Sequence, residues 1–256
     1  MKKIIITLTA IFICIVAYAQ TETINWYMDD GTTYTTTTCE SGGDIILPQT
    51  PTKRGYTFVG WLGYTPIEYL EMERGPVVDT VYIPSNKTRI LAKFQPTSVE
   101  NSYAFFFGIY PNGKHASNQS YEFFVWNKLY SWYWSGSLFE VSSAVPNDVI
   151  VLDWNRNVLN ITINGVTRTK TFTAKTFTAP YSLPIFALRF SDTFPKGGSF
   201  QGKFYYFQIY DNNVLVRDFV PVLDANGTPC MLDKVENKFY YNAGTEQFIA
   251  GPVIGE

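Results

Sequence analysis

The sequence predicts an all-β protein, a small β-rich module followed by a larger antiparallel β-sandwich of the jelly-roll kind. Three observations predict it. Short runs rich in Tyr, Phe, Trp, Val, Ile and Thr recur along the chain, several of them alternating apolar with polar residues. Asn, Asp and Gly clusters separate these runs at short intervals, and such residues tolerate the positive φ of tight hairpins. Aromatic residues make up 17% of the 256-residue chain while charged residues make up 16%, against roughly 25% in an average soluble chain. So many rings require a large aromatic core or exposed aromatic surfaces. The formal net charge of -2 gives no basic footprint for nucleic acid.

The first 19 residues read as a secretory signal peptide. Lys2 and Lys3 form a positive start, Ile4 to Val16 an apolar run, and Ala17-Tyr18-Ala19 places small residues at the cleavage-determining positions before Gln20. The run is short for a membrane span, though a retained anchor is the alternative. No later segment is long and apolar enough to cross a bilayer as a helix. The expected mature chain is therefore exported, extracellular or at the cell surface, with no transmembrane segment. Cleavage removes Cys14 and leaves Cys39 and Cys230, read as two separately buried thiols in preference to a disulfide crossing modules.

Residues 22–95 form the first module. Ile24, Trp26 and Met28 alternate along a strand, Asp29-Asp30-Gly31 turns it, and the β-branched TTYTTTT returns as its partner. Gly42-Gly43-Asp44 turns again, before a short apolar strand, a Pro-punctuated loop and a strand from Tyr56 to Trp61. The positions of Gly43, Leu47, Pro48, Pro51, Thr52, Gly55, Tyr56, Phe58, Gly60 and Trp61, with TRILAKF near the end, resemble the internalin-type B-repeat. That resemblance implies a small β-grasp-like module used for spacing or docking. Phe94 stands where the family usually has Trp, and Leu62 to Ile83 is longer than the pattern. Tyr56, Phe58 and Trp61 are read as core, since a few large rings must supply most burial in so small a domain. Glu71-Met72-Glu73 falls in the variable loop.

Residues 97–256 form the sandwich. Strands are expected at Tyr103–Tyr110, Tyr121–Trp126, Leu129–Ser135, Asp148–Trp154, Val158–Ile163 and Phe186–Ser191, with turns at Asn127-Lys128, Asn155-Arg156-Asn157 and Asn164-Gly165. The closing run places Tyr205, Phe207 and Ile209 on one strand face, turns at Asp211-Asn212-Asn213, and returns through Val214 to Val220. Short strands follow at Thr228–Leu232 and Phe239–Tyr241. The strings FYYFQIYDNNVLVRDFVP, LDANGTPC and KFYYNAGTEQFIAGP resemble the concanavalin A-like lectin/glucanase superfamily in its laminin-G-like variety. The resemblance implies a β-sandwich and leaves the activity open, because that fold hosts lectins, glycosidases and adhesive modules.

Sugars present apolar C–H faces between hydroxyls, so their sites pair aromatic platforms with directional polar side chains. Alternation in LYSWYWSG puts Tyr130, Trp132 and Trp134 on one face. That face is either a three-ring platform beside the polar loop holding Asn112, His115 and Asn118, or sandwich core. Asp153, Asn155 and Asn157 have the spacing of a calcium loop, but Val158 replaces its Gly and Asn164 its Glu, so a plain hairpin turn is the alternative. No catalytic residue is assigned. Glycoside hydrolysis needs two carboxylates at a fixed separation; the resemblance implies that a glycosidase of this superfamily would carry them on one strand, commonly as Glu-x-Asp-x-Glu, and no such string occurs in the sandwich. The sequence is read as a non-catalytic surface binding protein whose partner is a glycan or a surface protein. A purely structural component and a glycosidase are the other readings.

Overall fold

The computed structural model describes residues 21–27, 32–52, 54, 63–99, 103–111, 120–134, 137–173, 179–195 and 198–254, and every regular element there is a β-strand. The signal segment, Tyr56, Phe58, Trp61, Asn112, His115 and Asn118 lie outside the described residues. The chain divides into two compact units, Met1–Gly60 and Trp61–Glu256.

In the first unit β1 (Thr21–Tyr27) pairs antiparallel with β2 (Thr33–Glu40). The expected alternation holds, with Ile24 and Trp26 opposite Thr37 and Thr35 on the half-buried face. Trp26 Nε1 donates to Thr37 Oγ1 at 2.8 Å, so the threonine run supplies a hydrogen-bond partner as well as β-branched bulk.

The second unit begins with β3 (Tyr64–Pro66), β4 (Leu70–Glu73), β5 (Val78–Asp79), β6 (Thr88–Pro96), β7 (Ala104–Ile109), β8 (Tyr121–Trp126) and β9 (Leu129–Trp134). Next come β10 (Ser137–Ser143), β11 (Ile150–Asn155), β12 (Val158–Ile163), β13 (Val166–Thr171), β14 (Pro184–Ile185) and β15 (Leu188–Arg189). The chain closes with β16 (Gln201–Asp211), β17 (Val214–Asp224), β18 (Pro229–Asp233), β19 (Lys238–Tyr240) and β20 (Ile249–Ala250). A seven-stranded sheet runs β10-β9-β8-β7-β14-β5, with β15 parallel to β7. An eleven-stranded sheet runs β13-β12-β11-β6-β16-β17-β18-β19, with β3, β4 and β20 attached to β17, β16 and each other.

This topology moves the module boundary. TRILAKF, expected to end the first module, is β6, and it pairs with β11 on one side and β16 on the other. Its alternating burial shows why: every second residue is buried, and Ile90, Ala92 and Phe94 are core residues of the sandwich. Glu71-Met72-Glu73 likewise lies in a strand of the sandwich and not in a variable loop, because Met72 is buried in β4 and pairs across to Gly202. The sandwich therefore starts near residue 64, not 97.

The two sheets meet through rings. Phe94 lies 5.0 Å from Phe106, Phe107 5.3 Å from Phe207, and Tyr121 stacks on Trp154 at 4.0 Å. Hairpins form where Asn-rich turns predict them. Asn127 and Lys128 have φ of 49° and 59°, and Asn212 and Asn213 50° and 68°, two positive values each as a type I′ turn requires.

The expected face of β16 needs correction at Tyr205. A bulge between Phe204 and Tyr206 inserts one residue, so Phe204, Phe207 and Ile209 point inward while Tyr205 and Tyr206 are only half-buried. Gly202 precedes the bulge at φ 151°, where an added Cβ would meet Gln95 O at 2.3 Å and Pro96 Cα at 2.7 Å. Both contacts are backbone atoms that cannot rotate away. Gly202→Ala is expected to lose about 3 kcal/mol or more, read as a drop in denaturant midpoint; an unchanged midpoint would show that β6 and β16 can separate locally.

Candidate functional site

The face bearing Tyr130 and Trp132 is core, not a platform. Both rings are buried, Trp132 stacks on Phe139 at 5.4 Å and meets Phe172 edge-on, and Tyr130 donates from its hydroxyl to Asp148 Oδ2 at 2.9 Å. β9 lies between β8 and β10, and its Tyr130 and Trp132 side faces the second sheet. Trp134 continues the strand, but its side chain lies outside the described residues.

The metal reading fails on geometry. Asp153 spends both carboxylate oxygens on Arg89, which donates from Nε at 2.7 Å and from its second terminal nitrogen at 2.8 Å. Asn155 pairs with Val158 at the hairpin end, and Asn157 Nδ2 donates to Phe172 O. Asp153 is thus committed to an ion pair and Asn157 to closing the turn. Among the described residues no group of three or more His, Cys, Asp or Glu side chains is placed to hold a metal. Cys39 and Cys230 are both unpaired. Cys230 is buried as expected and its thiol is pushed up to about 12 by burial, whereas Cys39 is only half-buried.

An aromatic surface does exist on the other side of the seven-stranded sheet. β7 contains three consecutive phenylalanines, and a bulge between Phe105 and Phe107 aims both Phe106 and Phe107 into the core. Phe105 is thereby left on the outer face, opposite Phe124 of β8. Tyr103 and Trp126 extend this grid by one step. Tyr103 lies parallel to Phe105 at 5.7 Å and 5°, and parallel to Trp126 at 5.6 Å and 4°. At these separations parallel rings are offset, the arrangement that aromatic quadrupoles favour. Phe124 supports the strip from below, 5.4 Å from Phe105 and 5.7 Å from Tyr103. Tyr103 remains 45% exposed, with Phe105 and Trp126 half-buried, so the strip is open to a ligand. The exposed Asn127-Lys128 turn gives it a polar rim at the Trp126 end.

Next along the same face stands Glu122, buried at 1% exposure, with Oε1 lacking any hydrogen-bond partner. Its stem occupies the space over Gly108, where an added Cβ would lie 3.1 Å from Glu122 Cγ and 2.9 Å from Leu188 Cδ1. Burial pushes its carboxyl up to about 8.

The outer face of the larger sheet carries a second aromatic set. Lys203 Nζ sits 4.1 Å over Tyr69 and Lys93 Nζ 4.4 Å over Tyr205, while Tyr69 meets Tyr205 edge-to-face at 5.8 Å. Tyr205 donates to Gln95 Oε1 at 2.8 Å. Neither aromatic surface was assigned from the sequence. The signal that could have found them is the pair of consecutive-ring runs, FFF and FYYF, where alternation must break and one ring must turn outward.

Residues 23–65 match the Listeria-Bacteroides repeat domain. The repeat ends where the sandwich begins, since β3 already pairs with β17. No curated protein matches the chain. Among solved structures, the chain is similar to the CBM40 of a Ruminococcus gnavus IT-sialidase bound to α2,3-sialyllactose, at 14% identity and a TM-score of 0.41 over 56% of this chain and 89% of that one. A Bacteroides ovatus protein described as carbohydrate-binding is similar at 10% identity and a TM-score of 0.46, over 75% of this chain and 61% of that one.

Proposed function

We propose that the sandwich is a non-catalytic glycan-binding module of the concanavalin A-like, laminin-G-like kind. It belongs to an exported surface protein in which the repeat serves for spacing or docking. The observation that carries this reading is the offset strip of Phe105, Tyr103 and Trp126. A pyranose ring places axial C–H groups on one face, and parallel, partly exposed rings match that face while leaving the sugar hydroxyls to water and to the polar rim. The strip is held by β7 and β8, paired strands with Phe124 beneath, so little ordering cost remains for binding.

Glycan-array binding of the chain from Gln20 to Glu256 tests the reading. Trp126→Ala and Tyr103→Ala are each expected to weaken a bound glycan about tenfold or more, or ~1.4 kcal/mol. Because both rings are partly exposed, melting temperature is expected to change little. Full binding by both variants, or no binding of any glycan by the parent, would sink the proposal.

A further inference from the structure

The outer face of the eleven-stranded sheet is a distinct surface, separated from the Trp126 strip by the whole thickness of the sandwich. Its chemistry also differs. In register across β6 and β16, Lys203 stands beside Gln95 and Tyr206 beside Lys93, so two ammonium groups flank Gln95 and Tyr205. Among the described residues neither lysine forms an ion pair, and both are half-buried. Lys93 has Val151 as its neighbour on β11, with no carboxylate in register on either side. Glu71 stands across from Lys203 on β4 and offsets part of its charge, whereas Lys93 has no such neighbour in register. Glu68 also lies near Tyr205, on the Lys203 side of the cluster with Glu71, while Asp153 is held by Arg89.

We propose that Lys93, Lys203, Gln95 and Tyr205 form a second binding site, for a saccharide that carries an anionic group. The two ammonium groups hold the anion, while the tyrosine cluster lines the sugar-facing surface. Each lysine already rests over a tyrosine ring, so part of its rotamer freedom is lost before the ligand arrives. Gln95 Oε1 accepts from Tyr205 while its Nε2 donates to Asn147 O at 3.1 Å, which fixes the amide between the two cations. An unpaired lysine on a strand is commonly only a solvated edge charge. Two of them seated on an ordered tyrosine cluster are placed for a ligand.

Calorimetric titration of the chain from Gln20 to Glu256 with three probes tests the site: oligogalacturonate, its neutral methyl ester and a sulfated dextran oligosaccharide. An anionic probe is expected to bind, the methyl ester to bind at least about tenfold more weakly, and affinity to fall with added salt. Preference between the two anionic probes assigns the group as carboxylate or sulfate. Lys93→Gln combined with Lys203→Gln is expected to weaken the anionic probe at least about tenfold, with Trp126→Ala leaving it unchanged. Equal binding of acid and ester, no effect of the double lysine variant, or no binding of either anionic probe overturns the proposal. Trp126→Ala as damaging as the lysine variant also overturns it, because the anion would then occupy the strip on the opposite face.

Discussion

Stability of the sandwich is expected to fall as pH rises from about 4.5 towards 8, and replacing Glu122 by Gln is expected to remove most of that fall. The cause is burial. Glu122 is buried against Gly108, beside Leu188, with Oε1 unpartnered, so its charged form loses hydration with nothing to replace it. Its carboxyl is pushed up to about 8 in the folded protein, from an ordinary value of 4.5. A raised folded value means the folded state binds the proton more tightly than the unfolded chain. The contribution is therefore complete below the unfolded value and is lost as pH rises through the folded one. The slope approaches ~1.4 kcal/mol per pH unit within the window, for a total of at most about 5 kcal/mol. Denaturant midpoints of the parent and Glu122→Gln measured from pH 5 to pH 9 check this. The parent curve should descend relative to the variant and level off above about pH 8. Parallel curves would show that Glu122 gains a partner or water when ionised.

Much of the fold was legible because hairpins announce themselves locally. Asn127-Lys128 and Asn212-Asn213 were identified as turns from side chains that tolerate positive φ, and both adopt it. The strands they join, β8 with β9 and β16 with β17, follow within a residue or a few. The module boundary was not legible. TRILAKF alternates as any half-buried strand does, and nothing local distinguishes pairing within the repeat from pairing with β11 and β16, whose sequences lie far downstream. The aromatic surfaces were hidden for another reason. A strict two-residue period assigns Tyr205 to the core with Phe207 and gives no rule for FFF, whereas a bulge changes which ring turns out. Alternation placed Tyr130 and Trp132 together correctly, yet it cannot say whether a shared face meets solvent or the opposite sheet. Only the packing against Phe139 and Phe172 decides that.

Trp132→Ala is expected to lose about 3–5 kcal/mol, enough to leave much of the population unfolded in a domain of ordinary marginal stability. The ring is 1% exposed and lies between Phe139 and Phe172, so truncation opens a void that these two aromatic side chains border but cannot fill without leaving their rotamers. Trp132→Phe separates volume from polarity. Trp132 Nε1 is buried without a hydrogen-bond partner, and phenylalanine removes that unsatisfied donor while keeping one aromatic ring. Relief of the donor, about 1–3 kcal/mol, offsets much of the lost packing, so Trp132→Phe should stay within about 1.5 kcal/mol of the parent. Chemical denaturation of both variants decides it. If Trp132→Ala kept parental stability and lost glycan binding, the inner face would be a site after all. Loss of stability with Trp132→Phe still binding glycan would leave the outer strip of Phe105, Tyr103 and Trp126 as the ligand surface, because a core ring acts on binding only through the fold.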